Sequence, residues 1–349
     1  MKVILINDML NAGGAEKLLV NIANLLYKNN VEVEVVLFLD KALIDDQINK
    51  NISVKYLSRK GRFDMSSWIK LKSWVKDADI VHIHSRYNLR YYFMVKFILG
   101  IRKPKIVFHE HMPRFQLDFI TTYLFSKVNA YVAVFSKMTQ WVIEKKYIKK
   151  NKSFYLPNFV TEPETEIKAN QQSEKILMIG NFWHLKNHFF ALELLKNLPE
   201  FELDIYGMIY ESEYYQNIKT KIIDLNLEDR VNLIEGIQDV YSIMNKYSFA
   251  IHTSTSETGP LVLIEYMQSN MPFLSFNTGD VIQTVSQYLP NIVMHDFDKE
   301  KWLISIHSQM LNIESRETII KKYKIILENH FSEKNYFNSL HKIYQQVLA

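Results

Sequence analysis

The segment FAIHTSTSETGPLVLIEYM, residues 249–267, runs from an apolar strand through a polar turn into an apolar helix. FAIHTST has the apolar and β-branched composition of a buried strand. Residues 256–259 form the turn, and Pro260 suits the first turn of a helix because its missing N–H would be unpaired there. A strand that passes through a short turn into a helix is the repeating unit of α/β sheets. The segment therefore predicts an α/β fold.

The same unit recurs along the chain in both directions, which predicts parallel strands joined by crossover helices. In the first half we expect helices near 15–28, 65–76, 89–99 and up to about 147, between the strands KVILIN, VEVEVVLFL, ISVKYL, DIVHIH, KIVFHEH, AYVAVFS and KSFYLPN. In the second half, helices alternate with the strands EKILMIGNF, FELDIYG, VNLIEG, FAIHTST, PFLSFN and NIVMH, and about the last 50 residues are helical. The periodicity breaks at LPNFVTEPETEIKANQQSEK, residues 156–175. We therefore predict two doubly wound, Rossmann-like domains, residues 1–158 and 159–330.

Composition narrows the class of protein. The 349 residues are 48% hydrophobic and 23% charged, as in a globular protein, and none is cysteine. Disulfides, thiol catalysis and cysteine-ligated zinc are thereby excluded. The N-terminal MKVILINDMLNAGGAEK is interpreted as strand, turn and helix rather than a signal peptide, and no stretch approaches the ~20 apolar residues of a membrane helix. A cytoplasmic location is expected.

Charge is distributed unevenly. Residues 1–158 contain 26 Lys and Arg against 13 Asp and Glu, a balance of +13, whereas residues 159–349 contain 16 against 25, a balance of −9. The basic clusters SRKGRF, IRKPK and EKKYIKKNK lie in separate turns without a nucleic-acid motif. We therefore predict that the first half docks on an anionic membrane surface and that nucleic acid is not a partner.

Two carboxylates flank the start of the helix in the quoted segment. Glu257 lies at the mouth of the turn and Glu265 about two turns into the helix. The N–H groups at the start of this helix and its dipole favour an anion. Carboxylates accept hydrogen bonds from hydroxyl groups. A ligand that combines sugar hydroxyls with a phosphate fits this pattern.

ETGPLVLIE resembles the nucleotide-sugar signature of retaining glycosyltransferases of family 4, which have the GT-B fold. Further segments resemble landmarks of the same family in the same order: NAGGAEKLLVNIANLL, DIVHIH, IVFHEH, VAVFSK, LPNFV, ILMIGNFWHLKNH and HFSEKNYFNSLHKIYQQVL. The resemblance extends over nearly the whole chain. It implies two Rossmann-like domains facing each other across a cleft, an acceptor domain 1–158 and a donor domain 159–330. A final helix at about 331–349 is expected to pack back on the first domain.

The resemblance also implies roles for residues of the second half. Glu265 would bind the ribose hydroxyls, Glu257 the hydroxyls of the donor sugar, and Lys186 the diphosphate. The other donor-binding residues implied are Gly180, Asn181, Thr258, Gly259, Pro260 and Leu261. Asn181 departs from the family, which often has arginine there, so a phosphate-binding cation is missing. His184 is a possible substitute.

In the first half, Gly13 and Gly14 follow the first strand and let a ligand approach the backbone. His109 matches the family's histidine at the reaction centre, and with His111 it is assigned to the site. HEH also suggests a metal, but we expect its two histidines to leave the strand on opposite faces, and no third ligand is in view. No metal site is therefore predicted. His82 and His84 are expected to share a face of their strand and to have satisfied structural roles.

The function implied is retaining transfer of a sugar from a nucleotide diphosphate, expected to be UDP-linked, to an acceptor hydroxyl. The resemblance implies front-face substitution without an enzyme nucleophile, a cofactor or a required metal. The expected acceptor is a lipid-linked glycan at the inner face of a bacterial membrane, as in surface polysaccharide synthesis. Two alternatives remain open: a GT-B nucleotide-sugar 2-epimerase, and a non-catalytic sugar-binding or scaffolding subunit, which the loss of arginine at Asn181 would suit.

Overall fold

The computed structural model describes residues 1–11, 13–162, 173–236 and 239–349. The chain divides into two compact units. The first comprises Met1–Thr161 together with Glu333–Ala349, and the second comprises Glu162–Ser332. These boundaries lie within a few residues of the domains expected from the sequence. Much of the expected join, residues 163–172, lies outside the described residues.

The first unit is built on a seven-stranded parallel sheet. Its strands are β1 (Lys2–Asn7), β2 (Glu32–Leu37), β3 (Ser53–Tyr56), β4 (Ile80–Ile83), β5 (Lys105–Glu110), β6 (Ala130–Ala133) and β7 (Ser153–Tyr155). They lie in the order β3-β2-β1-β4-β5-β6-β7. The order reverses at β1, between β2 and β4, which is where ligands bind in such sheets, beyond the carboxyl ends of the strands.

Helices cover both faces of this sheet. In the first unit they are α1 (Gly14–Lys28), α2 (Met65–Val75), α3 (Arg86–Leu99), α4 (Phe119–Lys127), α5 (Ser136–Glu144) and α13 (Glu333–Leu348). α2, α3, α4 and α5 contribute to one continuous apolar core with side chains of the sheet. α13 contacts α1. The final helix therefore belongs to the first unit although the chain reaches it only after the whole of the second.

The second unit contains a six-stranded parallel sheet in the order β10-β9-β8-β11-β12-β13. Its strands are β8 (Lys175–Ile179), β9 (Glu202–Gly207), β10 (Val231–Glu235), β11 (Phe249–His252), β12 (Phe273–Phe276) and β13 (Val293–Met294). Its helices are α6 (His188–Leu195), α7 (Ser212–Asp224), α8 (Tyr241–Met244), α9 (Leu261–Gln268), α10 (Asp280–Ser286), α11 (Lys299–Ser305) and α12 (Ile313–Ile326). Both sheets are entirely parallel, so the predicted α/β class with two Rossmann-like halves is confirmed.

The sequence did not predict α4. Its residues, FITTYLFSK, mix β-branched and aromatic side chains, which are weak helix formers. The helix forms because the Asp118 carboxylate accepts a hydrogen bond from Thr121 N at 2.9 Å and caps its start. Phe119 is 86% exposed whereas Leu124 and Phe125 are buried in the core, so the apolar residues of α4 fall on both its buried and its exposed faces.

The helical end of the chain is more interrupted than expected. α11 and α12 each continue into a π-helical turn, at Ile306–Met310 and Leu327–Phe331. Ser332 then adopts an extended conformation before α13. No helix among the described residues is both long and apolar enough to span a membrane.

Candidate active site

The segment between β11 and α9 carries the densest set of predicted donor-binding residues. α9 begins at Leu261, and Pro260 occupies the cap position with φ −63° and ψ 115° rather than the first helical turn. Proline is tolerated at the start of a helix because it has no backbone N–H that would need a partner. Gly259 and Leu261 are buried, and Thr258 is partly buried, as parts of the turn.

Glu257 and Lys186 form an ion pair at this turn. Lys186 Nζ lies 2.5 Å from Glu257 Oε1, and their side chains are only 21% and 14% exposed. The two residues are 71 positions apart in sequence. They meet because β8 and β11 are neighbours in the sheet, so the loops that follow them lie side by side. The loops are joined by a hydrogen bond from Thr255 N to Leu185 O at 2.8 Å.

His252 is a third member of this group, which the sequence analysis did not select. Its Nε2 lies 3.5 Å from the same Glu257 oxygen, and its Nδ1 lies 2.9 Å from Ser275 Oγ. Burial lowers the pKa of His252, and the Glu257 carboxylate opposes that shift. The sequence did contain a signal for His252. It ends a buried strand five residues before Glu257, so both residues lie at the same edge of the sheet.

The Glu257 carboxylate is held in its charged form. Burial by itself would raise the pKa of Glu257, but the positive charge of Lys186 and the contact with His252 outweigh it and hold the pKa well below its usual range. An ionised carboxylate can accept hydrogen bonds from several hydroxyls and cannot donate one. Glu257 is therefore suited to binding a polyol.

Two glycines, neither selected from the sequence, allow these loops to pack. Gly279 has φ +81°, and a Cβ there would lie 2.9 Å from Thr258 O and 3.1 Å from Glu257 Cβ. A Cβ on Gly207 would lie 2.3 Å from Gly180 O. Any larger residue at either position would push the turn or the loop after β8 out of place.

The predicted phosphate-binding loop follows β8. The Lys186 side chain passes over Gly180, where an added Cβ would meet its Cδ and Cγ at 3.4 Å. The Asn181 Oδ1 accepts a hydrogen bond from Met208 N at 2.9 Å, which ties the loop to the end of β9. His184 Nδ1 lies 2.9 Å from Glu211 Oε1, so the proposed substitute cation already has an acidic partner.

Glu265 lies inside α9 and is only 3% exposed. Burial raises the pKa of the neighbouring Tyr241 phenol, and the negative charge of Glu265 adds to this shift. A buried carboxylate in a mostly apolar helix requires polar partners. The predicted role of Glu265 in donor binding stays a prediction.

In the first unit, Gly13 caps α1 and Gly14 is its first residue, as the sequence suggested. Gly13 has φ −108° and ψ 161°, which any residue can adopt, so chain conformation does not require glycine there. Close approach of a ligand to Gly13 stays a prediction. Ala12 lies outside the described residues.

The prediction that His109 and His111 point to opposite faces is wrong. Their rings stack with centroids 4.5 Å apart. Residues two apart on a strand share a face, and the intervening Glu110 is the one turned away. Its carboxylate accepts a hydrogen bond from Arg86 Nε at 2.5 Å.

His82 and His84 join this pair, so that four histidines form one group. β4 and β5 are adjacent, and their register pairs Ile83 with Phe108. His84 and His109 follow at the same level, with ring centroids 5.2 Å apart. A satisfied structural role was predicted for His82. Its Nδ1 lies 2.7 Å from Tyr344 OH, but its Nε2 has no hydrogen-bond partner among the described residues, so only one of the two ring nitrogens is satisfied. Burial lowers the pKa of His111 to about 4, and it also lowers the pKa of His82, His84 and His109 well below the usual value, which favours the neutral form of all four rings.

Comparisons with known proteins identify the family of the chain. The family described as Glycosyltransferase Family 4 matches residues 12–162, and the family described as Glycosyl transferases group 1 matches residues 161–325. The chain is a family 4-like glycosyltransferase of the GT-B fold. This glycosyltransferase is also 25% identical to an uncharacterized glycosyltransferase of Haemophilus influenzae over 298 residues, which are 80% of this chain and 82% of the relative.

Solved structures show the same fold. Anabaena HepE, crystallised with UDP and glucose, is similar with a TM-score of 0.82 at 16% identity, over 99% of both chains. The pneumococcal O-GlcNAc transferase GtfA, crystallised with UDP and GlcNAc, gives a TM-score of 0.74 at 13% identity, over 100% of this chain and 99% of that one. The predicted GT-B architecture is thus confirmed, and the two family matches confirm the assignment as a transferase.

Proposed function

We propose that this glycosyltransferase transfers a sugar from a UDP-linked donor to an acceptor hydroxyl with retention of configuration. The observation that carries the proposal is the Lys186–Glu257 pair, held at 2.5 Å at the carboxyl ends of two neighbouring strands. Sites for ligands in open parallel sheets lie at these ends. Both structural relatives named above were crystallised with UDP and a sugar, which supports a UDP-linked donor.

The pair would respond to the donor in a defined way. The donor diphosphate brings a negative charge that competes with Glu257 for the Lys186 ammonium. Lys186 would turn to the diphosphate, and the released Glu257 oxygen would accept hydrogen bonds from the sugar hydroxyls. The backbone at Gly259, Pro260 and Leu261 would border the sugar and diphosphate, and Glu265 would bind the ribose.

Charge develops on the leaving diphosphate as the glycosidic bond breaks. A fixed ammonium in a partly buried site stabilises that charge more than it stabilises the ground state. His109 is proposed to face the sugar, and Gly13, Gly14 and His111 the acceptor. We propose that no enzyme nucleophile and no metal ion are needed, because Lys186 and the start of α9 supply the positive charge at the diphosphate.

A ligand screen tests the donor assignment. We expect UDP-sugars to raise the melting temperature more than ADP-, GDP- or CMP-sugars, because a ligand at 100 times its dissociation constant adds about 2.7 kcal/mol to stability. The donor so found is then assayed for transfer to a panel of acceptors with and without excess EDTA. Transfer that survives EDTA supports the proposal, whereas complete loss that magnesium or manganese restores contradicts the metal-free mechanism.

The same assay separates the two alternatives. A 2-epimerase would convert the sugar nucleotide without an acceptor, and the product would remain nucleotide-linked. A non-catalytic subunit would bind the donor with no turnover against any acceptor. Either result would overturn the proposed transfer while leaving donor binding intact.

We propose further that the acceptor is a lipid-linked glycan and that the first unit docks on an anionic bilayer as a peripheral protein. Apolar side chains are exposed on α3 and α4, which are neighbours: Phe97 (89%), Phe119 (86%), Ile120 (55%) and Tyr123 (55%). Within RYYFMVKFILGI, most residues contribute to the core as expected, but Phe97 is not one of them. Exposed aromatic side chains beside basic residues suit the headgroup region of a membrane.

Vesicle binding should depend on the basic residues of the first unit. Lys145, Lys146, Lys149 and Lys150 are all exposed, just beyond the end of α5. Each basic residue near an anionic surface contributes about 1 kcal/mol, and the attraction decays over a Debye length of about 8 Å at physiological salt. We expect co-sedimentation with anionic but not neutral vesicles, weakened by salt and by changing these four lysines to glutamate.

A matched variant of the second unit controls for net charge. It changes the exposed Lys196, Lys219, Lys246 and Lys299 to glutamate. If both variants lose binding equally, the attraction is not specific to the first unit. If the unaltered protein stays in the supernatant with anionic vesicles at low salt, the membrane proposal fails and a soluble acceptor replaces it.

A further inference from the structure

His252 has one ring nitrogen that is buried and unsatisfied. The residue ends β11 and is 3% exposed, and its Nε2 has no hydrogen-bond partner among the described residues. Glu257 Oε1 lies 3.5 Å from this nitrogen. Buried polar groups in folded proteins are nearly always hydrogen-bonded, so an exception beside a ligand site requires a physical explanation.

The hydrogen bonds of Ser275 determine which nitrogen of the neutral His252 ring carries the proton. Ser275 Oγ donates its single hydrogen to Phe276 O at 3.0 Å. It can therefore only accept in the hydrogen bond that joins it to His252 Nδ1 at 2.9 Å. Nδ1 carries the proton, and Nε2 presents a lone pair to the Glu257 carboxylate. Because both groups are then acceptors, the neutral ring cannot donate a hydrogen bond to Glu257.

His252 shares the Glu257 oxygen with Lys186. Lys186 Nζ lies 2.5 Å from Oε1, on the side opposite in charge, and a second positive charge on His252 would be repelled by this ammonium. Burial lowers the pKa of His252, the Glu257 carboxylate raises it, and the Lys186 charge lowers it further. Among the described residues these two are the charged groups that act on the ring, and β12 contributes the uncharged Ser275. The neutral ring is therefore favoured while Lys186 holds this oxygen.

A bound nucleotide sugar would change this balance. Its diphosphate would attract Lys186 away from Glu257 and leave a buried carboxylate without its cation, which is strongly unfavourable. The sugar hydroxyls would supply hydrogen bonds but no positive charge. A proton on His252 Nε2 would place a positive charge beside the same oxygen, and the nearby diphosphate would favour that charge as well.

We propose that His252 takes up one proton when a nucleotide sugar binds and replaces Lys186 as the cationic partner of Glu257. The inference rests on the proposed donor site, since it requires Lys186 to turn to a diphosphate. The proton comes from the solvent and forms an Nε2–H bond that donates to Glu257 Oε1. That oxygen keeps a lone pair for a sugar hydroxyl. His252 is thus a positioning residue that acts on the sugar through Glu257.

Calorimetry on the full-length protein measures this proton directly. The probes are UDP-glucose, UDP-galactose and UDP-GlcNAc, whose diphosphates do not titrate near neutral pH. Each is titrated at neutral pH in phosphate, HEPES and Tris buffers, which differ in ionisation enthalpy, and the slope of the observed enthalpy against that value gives the protons taken up. We expect about 0.5–1 proton per bound donor, and an affinity that weakens about three- to tenfold for each unit that the pH is raised.

The outcomes separate this inference from the donor site on which it rests. Binding without proton uptake overturns the role of His252 and leaves the donor site intact. If none of the three UDP-sugars binds, the proposed donor is contradicted and the inference falls with it.

Two variants assign the proton to a residue. His252→Gln cannot titrate, although its amide can still donate to Glu257, so donor binding should persist with little proton uptake and little dependence on pH. His307→Gln is the control, because His307 is an exposed histidine of the same unit, and its proton uptake should equal that of wild type. Unchanged uptake in folded His252→Gln would assign the proton to another group and overturn the proposal.

A measurement on the unaltered protein covers a His252→Gln variant that fails to fold. Nitrogen-15 labelling of the 11 histidines lets NMR distinguish neutral from protonated rings. One ring should change from the neutral to the protonated form when the bound UDP-sugar is added at neutral pH. If every histidine keeps its protonation state on saturation with the donor, the proposal is wrong.

Discussion

Replacing Lys186 with alanine should lower the rate of sugar transfer more than tenfold, which corresponds to a loss of about 1.4 kcal/mol of transition-state stabilisation. The ammonium sits 2.5 Å from Glu257 and passes over Gly180 at the start of the expected phosphate loop. Negative charge on the diphosphate increases as the donor bond breaks, so an interaction with it strengthens toward the transition state. The loss should therefore appear mainly in kcat.

The matched control is Lys221→Ala. Lys221 also pairs with a glutamate of the second unit, Glu193, at 2.6 Å, and both side chains are about one-third exposed. If the ion pair of Lys186 only stabilised the fold, Lys186→Ala and Lys221→Ala should lose similar amounts of activity. Activity of Lys186→Ala within about twofold of wild type would contradict the diphosphate role, and a large loss in Lys221→Ala would mean that general destabilisation explains both.

Stability must be followed in the same experiment. Removing Lys186 leaves the mostly buried Glu257 carboxylate without its main cationic partner, which raises the free energy of the folded state. We therefore expect a lower melting temperature as well. Lys186→Gln is the second variant, because its amide can still donate a hydrogen bond to Glu257 while the charge is absent. A large loss of kcat in this variant below its melting temperature assigns the effect to charge.

Glu265→Ala should weaken the binding of UDP by about 1.5–3 kcal/mol, the usual contribution of hydrogen bonds to a charged group. This corresponds to roughly a 10- to 150-fold rise in the dissociation constant. Glu265 is 3% exposed in a helix whose other buried residues are apolar. The proposed ribose hydroxyls would be ligands of this buried carboxylate.

Calorimetry with UDP measures the effect, and two further variants interpret it. Glu265→Gln retains the shape and removes the charge, so an intermediate loss of affinity is expected. Glu213→Ala is the control, since Glu213 is an exposed glutamate in the first turn of α7. Unchanged UDP affinity in a folded Glu265→Ala protein would remove this residue from the donor site.

The sequence alone determined the alternation of strands and helices. That information is local, because buried parallel strands appear as short apolar β-branched runs and helices as longer periodic ones. KVILIN and FAIHTST carry it without reference to the rest of the chain, and β1 and β11 lie within them. α4 was missed because its local signal is weak. FITTYLFSK has low helix propensity, and the helix depends on the cap at Asp118.

The sequence also suggested residues for the proposed donor site, but not the contacts between them. Glu257 and Lys186 were selected separately, each for contact with a ligand. Their pairing depends on β8 and β11 becoming neighbours although three crossovers separate them along the chain. Strand order is a property of the assembled sheet, and no periodicity in the sequence encodes it.

The histidine group shows most clearly which features the sequence determined and which only the tertiary structure decided. DIVHIH and KIVFHEH were recognised as strands, and the spacing of their histidines was visible in the sequence. The expected geometry of HEH was nevertheless wrong, although strand alternation alone was enough to place its two histidines on one face. Only the tertiary structure decided that β4 and β5 are adjacent and in a register that brings His82, His84 and His109 together. Side-chain alternation is set within a strand, whereas the approach of two strands is set by the packing of everything between and around them.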